Sequence, residues 1–194
     1  MNRAVFLDRD GTLNREVDFL ADPAQMELLP GVPEGLSRLA GDQWLLCVVT
    51  NQSGVARGLL SEAVLAEIHG RLREMLASEG AHLDWIGHCP HHPRHGPPDL
   101  RRACDCRKPE PGLLLRAAAE LDIDLARSWM VGDSARDLQA GRSAGCHSIL
   151  VGTGNGPRTL EAMAAQEQKS LLAAPDFQGA VDLILEDPIR SEGS

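Results

Sequence analysis

The sequence predicts an α/β protein: a parallel sheet with helices packed on both faces. Three observations predict it. Short, continuous apolar runs recur along the chain, and three of them lead into the polar residues Asp8, Thr50 and Asp133. Segments with helical spacing of apolar residues lie between them. The length, 194 residues, suits one domain, and 43% hydrophobic residues give it a sizeable core.

The elements follow in order. Ala4-Val5-Phe6-Leu7 reads as a buried parallel strand ending at Asp8, because both faces of such a strand are covered and no alternation is needed. Residues 11–30 form a long connection. Residues 44–49 make a second strand, ending at Thr50-Asn51. Ser61 has the character of an N-cap, and Val64, Leu65, Ile68, Leu72, Met75 and Leu76 follow at helical spacing until Gly80. A weaker strand is expected around residues 83–86. A second long connection, residues 89–109, is rich in Pro, His, Cys and Arg, and long loops in a compact domain are usually functional. Pro111 can open a helix carrying Leu114, Leu115, Ala118 and Leu121. Residues 129–131 form a strand ending at Gly132-Asp133, and a helix is expected from about Ser134 to Gly145. Further strands are predicted at 148–151 and near 181–185. One domain over residues 1–188 and a frayed tail over 189–194 complete the reading.

Composition narrows the function. The net charge of −9 and an aromatic content of only 3% argue against a nucleic-acid reader, which needs a basic face and stacking platforms. A small anionic substrate is compatible with an acidic protein, because a pocket can be locally cationic. No apolar run is long enough to span a membrane and no signal-peptide pattern opens the chain, so a cytoplasmic protein, away from membranes, is expected. A monomer is expected. In a reducing compartment the clustered cysteines suggest a metal before a disulfide, whereas Cys47 and Cys146 read as ordinary buried thiols.

In an open parallel sheet, ligands bind at the carboxyl ends of the strands. Three predicted strands end at Asp8, Thr50 and Asp133, so these residues should meet at one edge. Asp8 and Asp10 are two residues apart, on one side of an extended segment, and Gly11 lets the chain turn after them. Neighbouring carboxylates repel, so one protonates more easily than the other. That division suits one ionised nucleophile and one general acid/base. The bland alternative makes Asp8 and Asp10 turn carboxylates and Lys108 a solvated charge.

Cys89-x-His91 and Cys104-x-Cys106 are two ligand pairs with i, i+2 spacing. Three thiolates and one imidazole match a closed structural Zn²⁺ site. His88, His92 and His95 are rival imidazoles; the spacing of His91 mirrors that of the other pair. The site would immobilise Lys108, two residues beyond Cys106.

Asp8-x-Asp10-Gly11-Thr12, Thr50-Asn51, Lys108-Pro109 and Gly132-Asp133-x-x-x-Asp137, in that order and spread over most of the chain, resemble the haloacid dehalogenase-like (HAD) superfamily. The resemblance implies a HAD-like Rossmannoid sheet, a zinc-bound loop over about residues 88–109 and, since neither insertion is long enough, no large cap domain. It implies that Asp8 forms an aspartyl-phosphate and that Asp10 protonates the leaving oxygen and then activates water. Thr50 and Asn51 would hold the phosphoryl oxygens, and Lys108 would neutralise charge. Mg²⁺ would lie among Asp8, the Asp10 carbonyl and Asp133, a set of oxygens that suits a hard cation. Asp137 could join through water or simply cap a helix. The family pattern also favours His91 as the fourth zinc ligand.

Within the family, residues 50–58 and the zinc knuckle resemble a subgroup acting on small phosphorylated sugars, with histidinol-phosphate phosphatases close by. The implied substrate-facing set is Asp8, Arg9, Asp10, Glu16, Val17, Asp18, Phe19, Thr50, Asn51, Gln52, Ser53, Arg57, Arg107 and Lys108. A second phosphate would need further cations, and Arg107 and Arg57 are the candidates, since arginine grips phosphate bidentately. One departure is Ser134, where some members carry Lys after Gly-Asp, which removes one substrate contact.

Overall fold

The structure, a computed structural model, describes residues 1–186, so the predicted tail at 189–194 lies outside the described residues. The elements in chain order are β1 (Ala4–Leu7), α1 (Val32–Gly41), β2 (Leu45–Asn51), α2 (Glu62–Ser78), β3 (Trp85–Cys89), α3 (Gly112–Leu121), β4 (Trp129–Gly132), α4 (Ala135–Ala144), β5 (His147–Val151), α5 (Gly156–Ala162), α6 (Ala165–Lys169), β6 (Leu172–Ala174) and α7 (Phe177–Glu186). All strand pairings are parallel, in the order β3-β2-β1-β4-β5-β6. From β1 the chain builds outward to β2 and β3, then returns to the other side of β1 for β4, β5 and β6. The β1/β4 crevice is therefore the point where the strand order reverses, and such points bind ligands.

Successive residues of β1 face opposite layers. Val5 and Leu7 pack into a core with α1, α2 and α7, while Ala4 and Phe6 pack with Leu113, Leu114 and Ala117 of α3 and Ala140 of α4. On α2, Leu65, Ile68, Leu72 and Leu76 are fully buried. Each such side chain contributes roughly 1.5–3 kcal/mol by leaving water. The caps follow the sequence: Ser61 Oγ accepts from the Val64 amide at 3.2 Å, and Gly80 and Gly145 follow their helices with φ of +77° and +89°.

Two expectations change. The apolar run at 181–185 is helical rather than a strand. Phe177, Ala180, Val181 and Ile184 are its buried residues, a spacing of three and four that presents one stripe to the sheet. The sixth strand is Leu172–Ala174, on the sheet edge. The weak strand expected at 83–86 lies at Trp85–Cys89, which carries Cys89 to the end of the sheet.

No large cap is built by either insertion. Residues 11–30 contain one short 3-10 turn, Pro23–Gln25, and fold back on themselves through Arg15 N–H to Glu27 O (2.8 Å) and Leu29 N–H to Leu13 O (3.0 Å). Among the described residues no helix is long and apolar enough to cross a membrane.

Candidate active site

Register places the strand ends together. Leu7 of β1 lies opposite Val48 of β2 and Val131 of β4, and the Asp8 amide donates to Val131 O at 3.0 Å. Asp8, Thr50 and Asp133, each one or two residues further on, emerge along one edge. A cavity of about 340 Å³ opens there, lined by Asp8, Asp10, the 16–20 loop, residues 50–54 and Lys108 among others.

Lys108 is 2% exposed and lies between two carboxylates. Its Nζ is 2.9 Å from Asp8 Oδ1 and 2.6 Å from Asp137 Oδ1. Burial disfavours the ammonium, but Asp137 and Asp8 outweigh it and hold the Lys108 pKa above the ordinary value. The lysine backbone is fixed as well. The Asn51 side chain accepts from Lys108 N–H and donates to Lys108 O, both at 3.0 Å. Asn51 was expected to serve phosphate through its backbone; its side chain serves as a clamp on Lys108.

Asp8, Asp133 and Asp137 bring carboxylate oxygens within 4.8 Å of one another. Burial first, then repulsion from Asp137, moves the Asp8 pKa up to about 7, against the pull of Lys108. Asp133 is raised too, mainly by burial. Its Oδ2 accepts from the Asn155 amide (2.7 Å) and side chain (3.1 Å), and a Cβ added at Gly11 or Gly154 would overlap that oxygen. Two buried carboxylates and a partly buried one facing one lysine leave negative charge uncompensated, so the donor set fits a hard divalent cation. Asp137 is committed otherwise. Besides Lys108 it accepts from Ser134 N–H (3.0 Å) and Ser134 Oγ (2.6 Å), which closes the capping box of α4.

Asp10 differs from Asp8 in the sense opposite to the expected division. Burial would raise its pKa, but Arg9, with hydrogen bonds from Asn14 and Gln52, holds it below the ordinary value. Arg9 is fully buried and does not line the cavity; its Nη2 and Nε reach back to the Asp10 carboxylate at 2.8–3.2 Å. The Arg9 side chain is thereby committed to an internal ion pair, which leaves its backbone as the part of residue 9 that can face a substrate. Gln52 Nε2 bridges Asp10 Oδ2 (2.8 Å) and Thr50 Oγ1 (2.9 Å).

Glu16, Val17, Asp18, Phe19, Ser53, Arg57 and Arg107 all line the cavity. Burial, with Asp10, Asp133 and Asp18 adding repulsion, lifts Glu16 to about 7. Arg57 spans the mouth, 5.6 Å from the Phe19 ring and 3.1 Å from His92 Nε2. Arg107 Nη1 donates to His91 O at 3.1 Å.

Cys89, His91, Cys104 and Cys106 converge next to this cavity. Their adjacent ligand atoms are 3.3–3.6 Å apart, with His91 offering Nδ1. Tetrahedral bonds to zinc give edges of about 3.5–3.8 Å, so the donors fit that ion. Cys47 and Cys146 lie buried elsewhere, and burial pushes both thiols up to about 12.

Residues 105–180 match the HAD-hydrolase-like family model. A Thermosynechococcus vestitus protein named D-glycero-D-manno-heptose-1,7-bisphosphate 7-phosphatase is 43% identical over 93% of this chain and 94% of its own. The Pseudomonas aeruginosa D-glycero-beta-D-manno-heptose-1,7-bisphosphate 7-phosphatase is 42% identical over 82% of this chain and 87% of its own. The chain belongs to the HAD-like phosphatases. The crystal structure of D,D-heptose 1,7-bisphosphate phosphatase from B. bronchiseptica, complexed with magnesium and phosphate, superposes with a TM-score of 0.83 at 40% identity, covering 95% of this chain and 98% of that one.

For this HAD phosphatase, four participants escaped the sequence. Asn14 binds Asp10 Oδ1 at 3.0 Å; Asn155 binds Asp133; His92 and Arg136 line the cavity. Asp133 follows β4 directly, whereas Asn155 lies further along the loop after β5, out of reach of the strand-end rule. Arg136 lies within the first turn of α4, beyond the strand end where that rule stops.

Proposed function

We propose that this chain removes the 7-phosphate of D-glycero-D-manno-heptose 1,7-bisphosphate, with Asp8 as nucleophile and Mg²⁺ as cofactor. The convergence of Asp8, Lys108 and Asp133 at the strand-order reversal carries the reading. The names of the full-length relatives support the substrate.

The residues divide the work as follows. Thr50 Oγ1 and the backbone beyond it orient the phosphoryl oxygens. Lys108, charged and immobile, neutralises them, which lets one anion approach another. Asp8 Oδ attacks phosphorus, the phosphorus–oxygen bond to the sugar breaks, and the leaving oxygen takes a proton through Asp10. Water then attacks the aspartyl-phosphate and gives its proton to Asp10, releasing inorganic phosphate. The donors that keep Asp10 ionised favour this second role; in the first, Asp10 must carry a proton and loosen its hold on Arg9. Asp8, the Asp10 carbonyl and Asp133 would hold Mg²⁺, which when bound screens the charge of nucleophile and phosphate. Asp137 positions Lys108 rather than ligating the ion. Cys89, His91, Cys104 and Cys106 would hold a structural Zn²⁺ that steadies the segment leading to Lys108.

The test is phosphate release from the heptose bisphosphate with and without Mg²⁺, with the product identified by phosphorus NMR. Wild type should give the 1-phosphate, and Asp8→Asn should give nothing. A higher kcat/KM for histidinol phosphate would transfer the substrate assignment to that class, and turnover by Asp8→Asn near the wild-type rate would end the mechanism.

A further inference from the structure

Arg107, Lys108 and Arg136 belong to two cavities at once. They line the catalytic cavity and also a neighbouring one of about 400 Å³, whose wall adds Arg102. Arg57 faces the first cavity from the other loop. Lys108 is committed to Asp8 and Asp137. Arg57, Arg107 and Arg136 form no ion pair with any carboxylate among the described residues, and the Arg136 side chain makes no hydrogen bond to any of them. Glu110, the carboxylate on the neighbouring cavity wall, is not paired with Arg136. Ser134, two residues before it, is turned inward onto Asp137 and offers the cavity no cation.

We propose that Arg136 is a specificity residue that, with Arg107, binds a second anionic group of the substrate on the wall that the catalytic cavity shares with its neighbour. The inference rests on the phosphatase reading of Asp8 and adds where selectivity between singly and doubly phosphorylated substrates resides. The geometry supports it in three ways. Arg136 is exposed, so its side chain is free to turn toward a ligand. It shares a wall with Arg107, whose guanidinium is anchored on the zinc loop by His91 O. The Asp8 end of the cavity already has its own cation in Lys108, so the arginines are surplus to the scissile phosphate. Two guanidinium groups on one phosphate form charge-assisted, bidentate contacts, and phosphate is the anion this planar fork matches best.

The deciding experiment compares D-glycero-D-manno-heptose 1,7-bisphosphate with its 7-monophosphate in the wild type, Arg136→Gln and Arg136→Lys. Both substrates present the same scissile group, so any loss from misfolding cancels in the ratio of their kcat/KM values. Wild type should prefer the bisphosphate, and Arg136→Gln should reduce that preference by roughly tenfold, the size of one charged hydrogen bond, mostly through KM. Arg136→Lys should recover part of it. An unchanged ratio in Arg136→Gln, or no preference in the wild type, overturns the proposal. If neither heptose ester is hydrolysed, the substrate reading fails separately. The subsite is then read from competitive inhibition of 4-nitrophenyl phosphate turnover by glucose 1,6-bisphosphate and by glucose 6-phosphate. Stronger inhibition by the bisphosphate that disappears in Arg136→Gln sustains the subsite; equal inhibition by the two removes it.

Discussion

Replacing Asp8 by Asn should abolish turnover and yet stabilise the fold in the absence of Mg²⁺. Asp8 Oδ1 accepts from Arg9 N–H at 2.8 Å and lies 2.9 Å from Lys108 Nζ. An amide oxygen can take both contacts, so the substitution removes the charge and little else. That charge is disfavoured: burial, Asp137 and Asp133 raise the Asp8 pKa from 3.8 to about 7. A raised carboxyl pKa means that the folded state holds a proton the unfolded chain has already released. Stability from this group is therefore complete below about pH 4, falls as pH rises, and is lost above about pH 7. At about 1.4 kcal/mol per pH unit the ceiling is about 4 kcal/mol, and a gain of about 1–3 kcal/mol is the working expectation once local relaxation is allowed for. For a chain of this size that is roughly 3–10 °C in melting temperature. The assay is thermal unfolding of both proteins at pH 5 and pH 8 in Mg²⁺-free buffer without chelator, which leaves the Cys/His cluster undisturbed. The advantage of Asp8→Asn should be larger at pH 8. Added Mg²⁺ should narrow it, because an ion held by ionised Asp8 would stabilise the wild type more than the variant. A variant less stable than the wild type at pH 8 would show that the three carboxylates are already balanced, and the case for a missing cation would fall with it.

Two further outcomes follow from the supports of Lys108. Asn51→Ala deletes both hydrogen bonds to the Lys108 backbone; kcat should fall at least about tenfold, at about 1–1.5 kcal/mol per bond lost, and a rate within twofold of wild type would mean that Asp8 and Asp137 suffice. Protein purified without chelator should contain close to one zinc per chain by elemental analysis, and its removal should lower both melting temperature and activity; full activity in zinc-free protein would separate the knuckle from the active site.

Much of this site was legible because it obeys a local rule. Apolar strands run into Asp8, Thr50 and Asp133, and parallel register then brings their ends together without knowledge of any side-chain contact. The cluster of Cys89, His91, Cys104 and Cys106 was legible for a similar reason, since each pair is local and only the closing of the loop is not. Arg9 shows where local reasoning was applied incompletely. The period of two that sets Asp8 and Asp10 on one side sets Arg9 on the other, and there it is buried and turns back to Asp10. The run at 181–185 was ambiguous for a different reason: a short apolar stretch fits a strand as well as a helix until Phe177 and Ala180, outside the run, extend the buried stripe. The contacts that fix charge at the centre belong to a third kind. Asn51 meets Lys108 across 57 residues, and Asn155 meets Asp133 from the loop after the next strand. Neither partner has a local pattern to announce it, because each is chosen by what the folded edge brings within reach. The strand-end carboxylates of such a site can therefore be read from one dimension, whereas the groups that tune them are read from three.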